Sequence, residues 1–273
     1  MPDNFQPAAD SLKQLKNRVF LANKELVQHG LVVLTWGNAS ALSDDRTQVV
    51  IKPSGIDYDG MTADDMVVVD LDGNVLDGKW KASSDTPTHL YLYRHFPNIG
   101  GIVHTHSRWA TMFAQARREI RCFGTTHADH FHGPVPLTRA LTRSEVETDY
   151  EKNTGAVIIE RFTDVSQRFP IPNHVAKPIS PDEFPGVLVA GHGPLTWGPD
   201  VEAAVKNAVA LEDIAQIAFG TQMLVLEQNC LYNEDLNFRG TPQLEDYVLH
   251  KHYDRKHGNN AYYGQREKAD GGT

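Results

Sequence analysis

The chain has 273 residues, a net charge of -9 at neutral pH with histidine uncharged, and two cysteines, Cys122 and Cys230. That length can bury a core without disulfides, and the acidic balance argues against nucleic acid or an anionic membrane as a partner. Two distant cysteines exclude a disulfide framework and a cysteine zinc site, the opening MPDNFQPAADSLKQLK has no apolar signal core, and no later stretch approaches the ~20 apolar residues of a membrane span. A soluble cytoplasmic protein is expected, built as a single domain over residues 1–273 with extra N-terminal and C-terminal tails.

In chain order, Leu12, Leu15, Val19, Ala22 and Leu26 recur at helical spacing between Ser11 and Gly30 and predict an amphipathic helix. Strand-like apolar runs follow at Leu31–Leu34, Val49–Ile51, Met66–Val69, Ile102–Val103, Val157–Ile159 and Val187–Val189. VVVDLDGNVLDG predicts a hairpin turning at Asp72-Gly73. Pro87 belongs in a first helical turn, which makes Ser84 or Asp85 the N-cap. Thr142 and Glu145 form a capping box for a helix running toward Gly155. Pro199 opens a long apolar helix, and Thr241-Pro242 opens a last one that ends at Gly258 with Arg255, Lys256 and His257 near its negative end. Strands and helices in alternation give an α/β class, and the hairpin makes the sheet mixed rather than wholly parallel.

Thirteen histidines are the compositional oddity. In GGIVHTHS, His104 and His106 end a buried strand and share one side, about 7 Å apart. His192, between Gly191 and Gly193 after another buried strand, is a third candidate, and three neutral imidazoles with an open position suit a catalytic divalent ion, zinc first. Spacing alone does not separate this set from His127, His130 and His132, or from His250, His252 and His257. Three further segments suit an anion: Gly37 and Asn38 in TWGNAS, Lys52, Ser54 and Gly55 in IKPSGIDY, and Ser83, Ser84 and Asp85 before the helix at Pro87.

Taken in order, TWGNAS, IKPSGIDY, MTADDMVVV, SSDTPTH, GGIVHTHSRWA, GTTHADHFHG, Tyr150-Glu151, GVLVAGHGP and HYDRKHG followed by AYYGQ resemble the L-ribulose-5-phosphate 4-epimerase pattern within the class II aldolase and epimerase family, over residues 11–265. The resemblance implies a three-layer fold with a central, mainly antiparallel sheet flanked by helices, assembled as a homotetramer with active sites at its interfaces. It implies His104, His106 and His192 as metal ligands, with Asp85 beside the metal. It implies zinc, with manganese or another divalent ion as the substitute. Asn38, Lys52, Ser54, Gly55, Ser83 and Ser84 would line the phosphate and substrate site. Asp129 and Tyr263 would carry protons, the tyrosine reaching in from a neighbouring subunit, and Thr125, Glu151 and His252 would hold supporting places. The segments Arg161–Phe184 and Gln222–Gly240 are longer than the pattern, and REKADGGT runs past its usual end.

The implied activity is inversion at C4 of a phosphorylated pentulose, L-ribulose 5-phosphate to D-xylulose 5-phosphate. C4 is β to the ketone, so removing its hydrogen gives no enolate. Cleavage between C3 and C4 yields the enediolate of dihydroxyacetone phosphate and glycolaldehyde, and the aldehyde can rotate and rejoin. A Lewis acid stabilises the enediolate, and one proton carrier is needed on each side of the aldehyde. The alternatives are a fuculose- or rhamnulose-phosphate-type aldolase, which carries glutamate in place of Asp85, and an adducin-like interaction module, which lacks the histidines.

Overall fold

The computed structural model describes residues 7–163, 178–232, 240–258 and Ala261. Seven strands, β1 (Asn38–Leu42), β2 (Gln48–Ile51), β3 (Val67–Asp70), β4 (Val75–Asp77), β5 (Gly101–His104), β6 (Gly186–Leu188) and β7 (Pro194–Gly198), form one sheet in the order β4-β3-β2-β1-β5-β7-β6. Every neighbouring pair is antiparallel, so the sheet is antiparallel throughout its named strands rather than mixed. The helices are α1 (Pro7–Gln28), α2 (Thr86–His95), α3 (Arg108–Gln115), α4 (Thr125–Ala128), α5 (Arg143–Thr163), α6 (Val201–Tyr232) and α7 (Asp246–His257).

Alternation along the strands sorts side chains into two cores. Val49, Val67, Val69 and Ile102 face α2, α3 and α5 in one cluster with Leu92, Phe96, Phe113, Ile158 and Trp197. Val50, Val68 and Val103 face α1 and the first half of α6 in the other, with Val19, Leu26, Val201 and Val205. The result is the expected layering of helices, sheet and helices.

Four expectations shift. Leu31–Leu34 is a turn, with Leu34 at φ 54° and the Trp36 N–H bonded to Val33 O at 3.1 Å. The strand lies just beyond it as β1, whose NASAL sequence lacks β-branched residues. Buried Asn23 of α1 fixes this strand, since its side chain bonds both the N–H and the carbonyl of Ala39, at 2.9 and 3.2 Å. Val157–Ile159 is helical: Val157, Ile158 and Phe162 are buried on one face of α5, so tertiary packing overrides their β-branched preference. The Thr142–Glu145 capping box forms, but α5 runs on past Gly155 to Thr163. Finally, α7 begins at Asp246, with Glu245 at the N-cap position, and not at Thr241-Pro242.

Helix α6 also departs from the reading of apolar runs, because Val201–Gln228 is long and apolar enough, by length and composition, to cross a membrane. Its first half is core, with Val201, Ala204, Val205, Ala208 and Leu211 buried. Its second half exposes Ile217, Phe219, Met223 and Leu224.

The start of α6 lies directly on β5. A Cβ at Gly101 would stand 2.4 Å from the backbone of Asp200 and Val201, a distance no side-chain motion relieves. Gly101→Ala should therefore destabilise the fold by about 3 kcal/mol, at the upper end of overpacking costs. An unfolding transition at the wild-type midpoint would contradict this close approach.

Candidate metal centre and active site

Strand β5 ends at buried His104, His106 follows on the loop into α3, and His192 sits in the tight turn between β6 and β7. Because β5 pairs directly with β7, these segments meet at one sheet end. The His106 Nε2 atom lies 3.1 Å from His104 Nε2 and 3.0 Å from His192 Nε2. The outer nitrogens of His104 and His192 are also engaged. His104 Nδ1 faces the carbonyl of Pro194 at 3.0 Å, and since a carbonyl only accepts, that nitrogen carries the proton and Nε2 keeps its lone pair. Burial and the neighbouring imidazoles push His192 down to about 4, and burial followed by His104 pushes His106 below its ordinary value, so both rings are neutral near pH 7. Three imidazoles with their Nε2 atoms turned toward one another form the donor set of a divalent transition-metal site. Among the described residues this is the one group of three or more such side chains that could hold a metal ion.

The rival histidines are dispersed. His127 is buried and bonds Gly133 O at 2.8 Å. His132 pairs with His250 at 2.8 Å and with Glu183 at 3.2 Å, through opposite ring nitrogens. His252 and His257 turn to Asp129.

Asp85 is the N-cap of α2, as the position of Pro87 requires, but its side chain does not cap the helix. It accepts a 2.6 Å hydrogen bond from Asn38 Nδ2, which also bonds Ser83 Oγ at 3.1 Å. Burial alone would raise the Asp85 carboxyl, yet His104, His89 and the Asn38 bond outweigh it and hold it below its ordinary value. Asn38 stands opposite His104 in the β1–β5 register, which aligns this carboxylate with the imidazoles. The Asn38 backbone reaches that place through Gly37, at φ 79°, where a Cβ would lie 2.9 Å from His104 O. Asp85, His104, Tyr150, Glu151 and His192 line one narrow cleft. The half-exposed ring of Trp36 stands 6.3 Å from that of His106.

The anion-binding segments meet as well. Ser83 N–H donates to Lys52 O at 3.0 Å and Ser54 N–H to Lys81 O at 2.9 Å, tying the turn carrying Ser54 and Gly55 to the strip carrying Ser83 and Ser84. Lys52 is buried beneath this turn, with Nζ donating to Ile56 O at 2.9 Å and lying 4.6 Å from the Tyr58 ring.

Asp129 is elsewhere. It ends α4 and is gripped by α7: Arg255 donates to its two carboxylate oxygens at 3.1 and 2.7 Å, His252 Nδ1 lies at 3.1 Å and Lys256 Nζ at 3.4 Å. Burial opposes ionisation, but these partners outweigh it and keep Asp129 below the ordinary carboxylate range. Thr125 opens the same short helix and accepts the Asp129 N–H through its carbonyl at 2.9 Å. No hydrogen bond, ion pair or ring contact among the described residues joins Asp129 or His252 to the three histidines. Tyr263, the segments 164–177 and 233–239, and the REKADGGT tail lie outside the described residues.

Sequence reasoning missed Arg255 and Lys256 as partners of Asp129, and Glu212. The Glu212 carboxylate, on α6, accepts the N–H groups of Trp109 and Ala110 at 2.9 and 3.0 Å, capping α3 just after His106. No local pattern announces a cap supplied from 103 positions away.

Burial brings Lys52 from its ordinary 10.5 down to about 8. Between those values the unfolded chain binds more protons at this residue than the folded one, so its contribution to stability rises with pH across that window. Denaturant unfolding at pH 7.5 and pH 10 should show wild type gaining on Lys52→Met. A difference that is equal at both pH values would refute this.

Residues 17–219 match the family described as Class II Aldolase and Adducin N-terminal domain. The chain is 48% identical over 255 residues to proteins of Salmonella paratyphi A and Salmonella typhi named L-ribulose-5-phosphate 4-epimerase UlaF, covering 93% of this chain and 100% of each relative. Among solved structures, one titled L-fuculose 1-phosphate aldolase superposes with a TM-score of 0.64 at 23% identity, over 89% of this chain and 95% of that one. An L-fuculose 1-phosphate aldolase from Glaciozyma antarctica PI12 gives 0.64 at 16% identity, over 93% and 86%. At those identities the structural matches speak for the fold alone. With the family model spanning most of the chain and the fold and histidine cluster in place, this protein belongs to the class II aldolase and adducin N-terminal domain family.

Proposed function

We propose that this chain interconverts L-ribulose 5-phosphate and D-xylulose 5-phosphate by breaking and remaking the C3–C4 bond. The reading is carried by three Nε2 atoms converging beside the half-buried Asp85 carboxylate, and it is supported by near full-length identity of 48% to proteins named L-ribulose-5-phosphate 4-epimerase. His104, His106 and His192 would hold a divalent cation, zinc first by donor type, with manganese as the substitute. When bound, that ion supplies Lewis-acid stabilisation of negative charge on the C2 and C3 oxygens.

The chain's own residues do the rest. Asp85, kept ionised and fixed by Asn38, balances charge beside the imidazoles and orients them. Ser54, Gly55, Ser83 and Ser84, on segments tied to each other by backbone bonds, offer hydroxyl and N–H groups to the phosphate, with Asn38 and the buried Lys52 beneath them. Holding the phosphate keeps the three-carbon fragment in place while the aldehyde turns. Asp129 would move a proton on one side of the aldehyde and Tyr263 on the other. Thr125 and His252 would support Asp129, and Glu151 would line the metal side.

Asp129 has no hydrogen bond or ion pair with His104, His106 or His192 among the described residues, which supports a site completed across a subunit interface. The apolar side chains exposed on α6 support an assembly, proposed here as a homotetramer. Residues 1–273 are taken as one domain. No nucleic-acid or membrane partner is proposed, and the cytoplasm is the proposed location.

With zinc or manganese, the purified protein should convert L-ribulose 5-phosphate to its epimer and lose that activity on chelation. Net release of dihydroxyacetone phosphate without epimer would mark an aldolase of the fuculose type instead. The double variant His104→Asn, His106→Asn should not retain metal through dialysis, whereas Asp129→Asn and Tyr263→Phe should retain it and turn over about 10² to 10⁴-fold more slowly. Wild-type rates in either single variant would remove that residue from its role.

A further inference from the structure

One side chain at the cleft has no role in the reading above. Helix α5 is broken at Asp149, whose φ of -156° and ψ of 78° are not helical. Three bonds hold the chain on either side of the break. Asn153 Nδ2 donates to Glu145 O at 2.8 Å, Thr154 Oγ1 to Tyr150 O at 2.9 Å, and Thr88 Oγ1 of α2 to Glu151 O at 2.5 Å. The break redirects the next residue, Tyr150, from the helix surface toward the histidines. Its ring lies 6.1 Å from that of His192, and its hydroxyl is 3.3 Å from His192 Nδ1.

For a ring that offers Nε2 to a metal ion, the direction of this hydrogen bond is set by the other side of the imidazole. If the tyrosine donated to Nδ1, the neutral ring would carry its proton on Nε2, aimed at His106 Nε2 only 3.0 Å away, and could not present a lone pair there. With Nδ1–H donating to the hydroxyl oxygen, Nε2 is free. His104 solves the same problem with the carbonyl of Pro194, supplied by the backbone. His192 stands in a turn and takes its acceptor from a side chain.

We propose that Tyr150 is a positioning residue for the metal centre, accepting the Nδ1–H of His192 and so fixing that ring's tautomer and orientation. The inference rests on the reading that the three histidines hold a divalent ion. Partners of this kind are worth about 10 to 100-fold in metal affinity.

Tyr150→Phe keeps the ring and removes only the acceptor. The metal-free variant should match wild type in far-UV circular dichroism and thermal midpoint. Its dissociation constants for Zn²⁺ and Co²⁺, measured by chelator competition, should rise about 10 to 100-fold, and the visible absorption of the Co²⁺ form should change. Tyr150→Leu, which keeps an apolar side chain but no hydroxyl, should show the same loss, so a packing defect in one variant does not decide the matter. Wild-type affinity and an unchanged Co²⁺ spectrum in both variants would overturn the assignment. Failure of wild type itself to bind either ion would instead overturn the metal reading on which it rests.

Discussion

Three imidazole nitrogens meet at the end of the sheet, His106 Nε2 lying 3.1 Å from that of His104 and 3.0 Å from that of His192, and this contact governs how the site is built. A proton on the His104 Nδ1, given to Pro194, leaves a lone pair pointing inward, and burial disfavours protonating His106 and His192. The fold therefore gathers three imidazole nitrogens at one point, and a bound divalent ion would take up their lone pairs. Asp85 adds one fixed negative charge beside neutral ligands, which moderates the field of the ion without neutralising it.

Holding such a cluster demands rigid supports. His104 is the last residue of a strand flanked on both sides, by β1 and β7. The loop carrying His106 is stopped by the Glu212 carboxylate at the start of α3, and the turn carrying His192 is bounded by paired strands β6 and β7. Asn38 connects the centre to the anion-binding strip, because one amide donates to both Asp85 and Ser83. The carboxylate beside the histidines and the segment carrying Ser83 are thus coupled through a single buried side chain.

Asp129 belongs to a separate electrostatic unit. Its carboxylate meets Arg255, His252 and Lys256 of α7, so the short helix α4 and α7 are held together by charge-assisted bonds with only a small apolar cluster of Cys122, Ala128 and Leu249 beneath. A carboxylate engaged this way stays ionised near neutrality. Its separation from the His104, His106 and His192 cluster follows from topology: the centre lies at the end of the sheet, whereas α4 and α7 pack on each other outside it.

Local sequence determined whatever depends on neighbours in the chain. The helix at Leu12–Leu26, the Asp72-Gly73 hairpin, the Thr142–Glu145 box and the buried strand leading to His104 were all legible, because periodicity, turn chemistry and capping are short-range properties. The ordered motifs carried the family. Tertiary structure decided the rest. NASAL became a central strand because Asn23 and its strand neighbours satisfy its backbone, and Val157–Ile159 became helix because one helical face fits the core. The choice among three histidine groups, the turning of Asp85 from helix cap to partner of Asn38, and the approach of Tyr150 to His192 each join residues 42 to 90 positions apart. No local pattern encodes such distances; only the closing of the sheet and the break in α5 bring those atoms within bonding range.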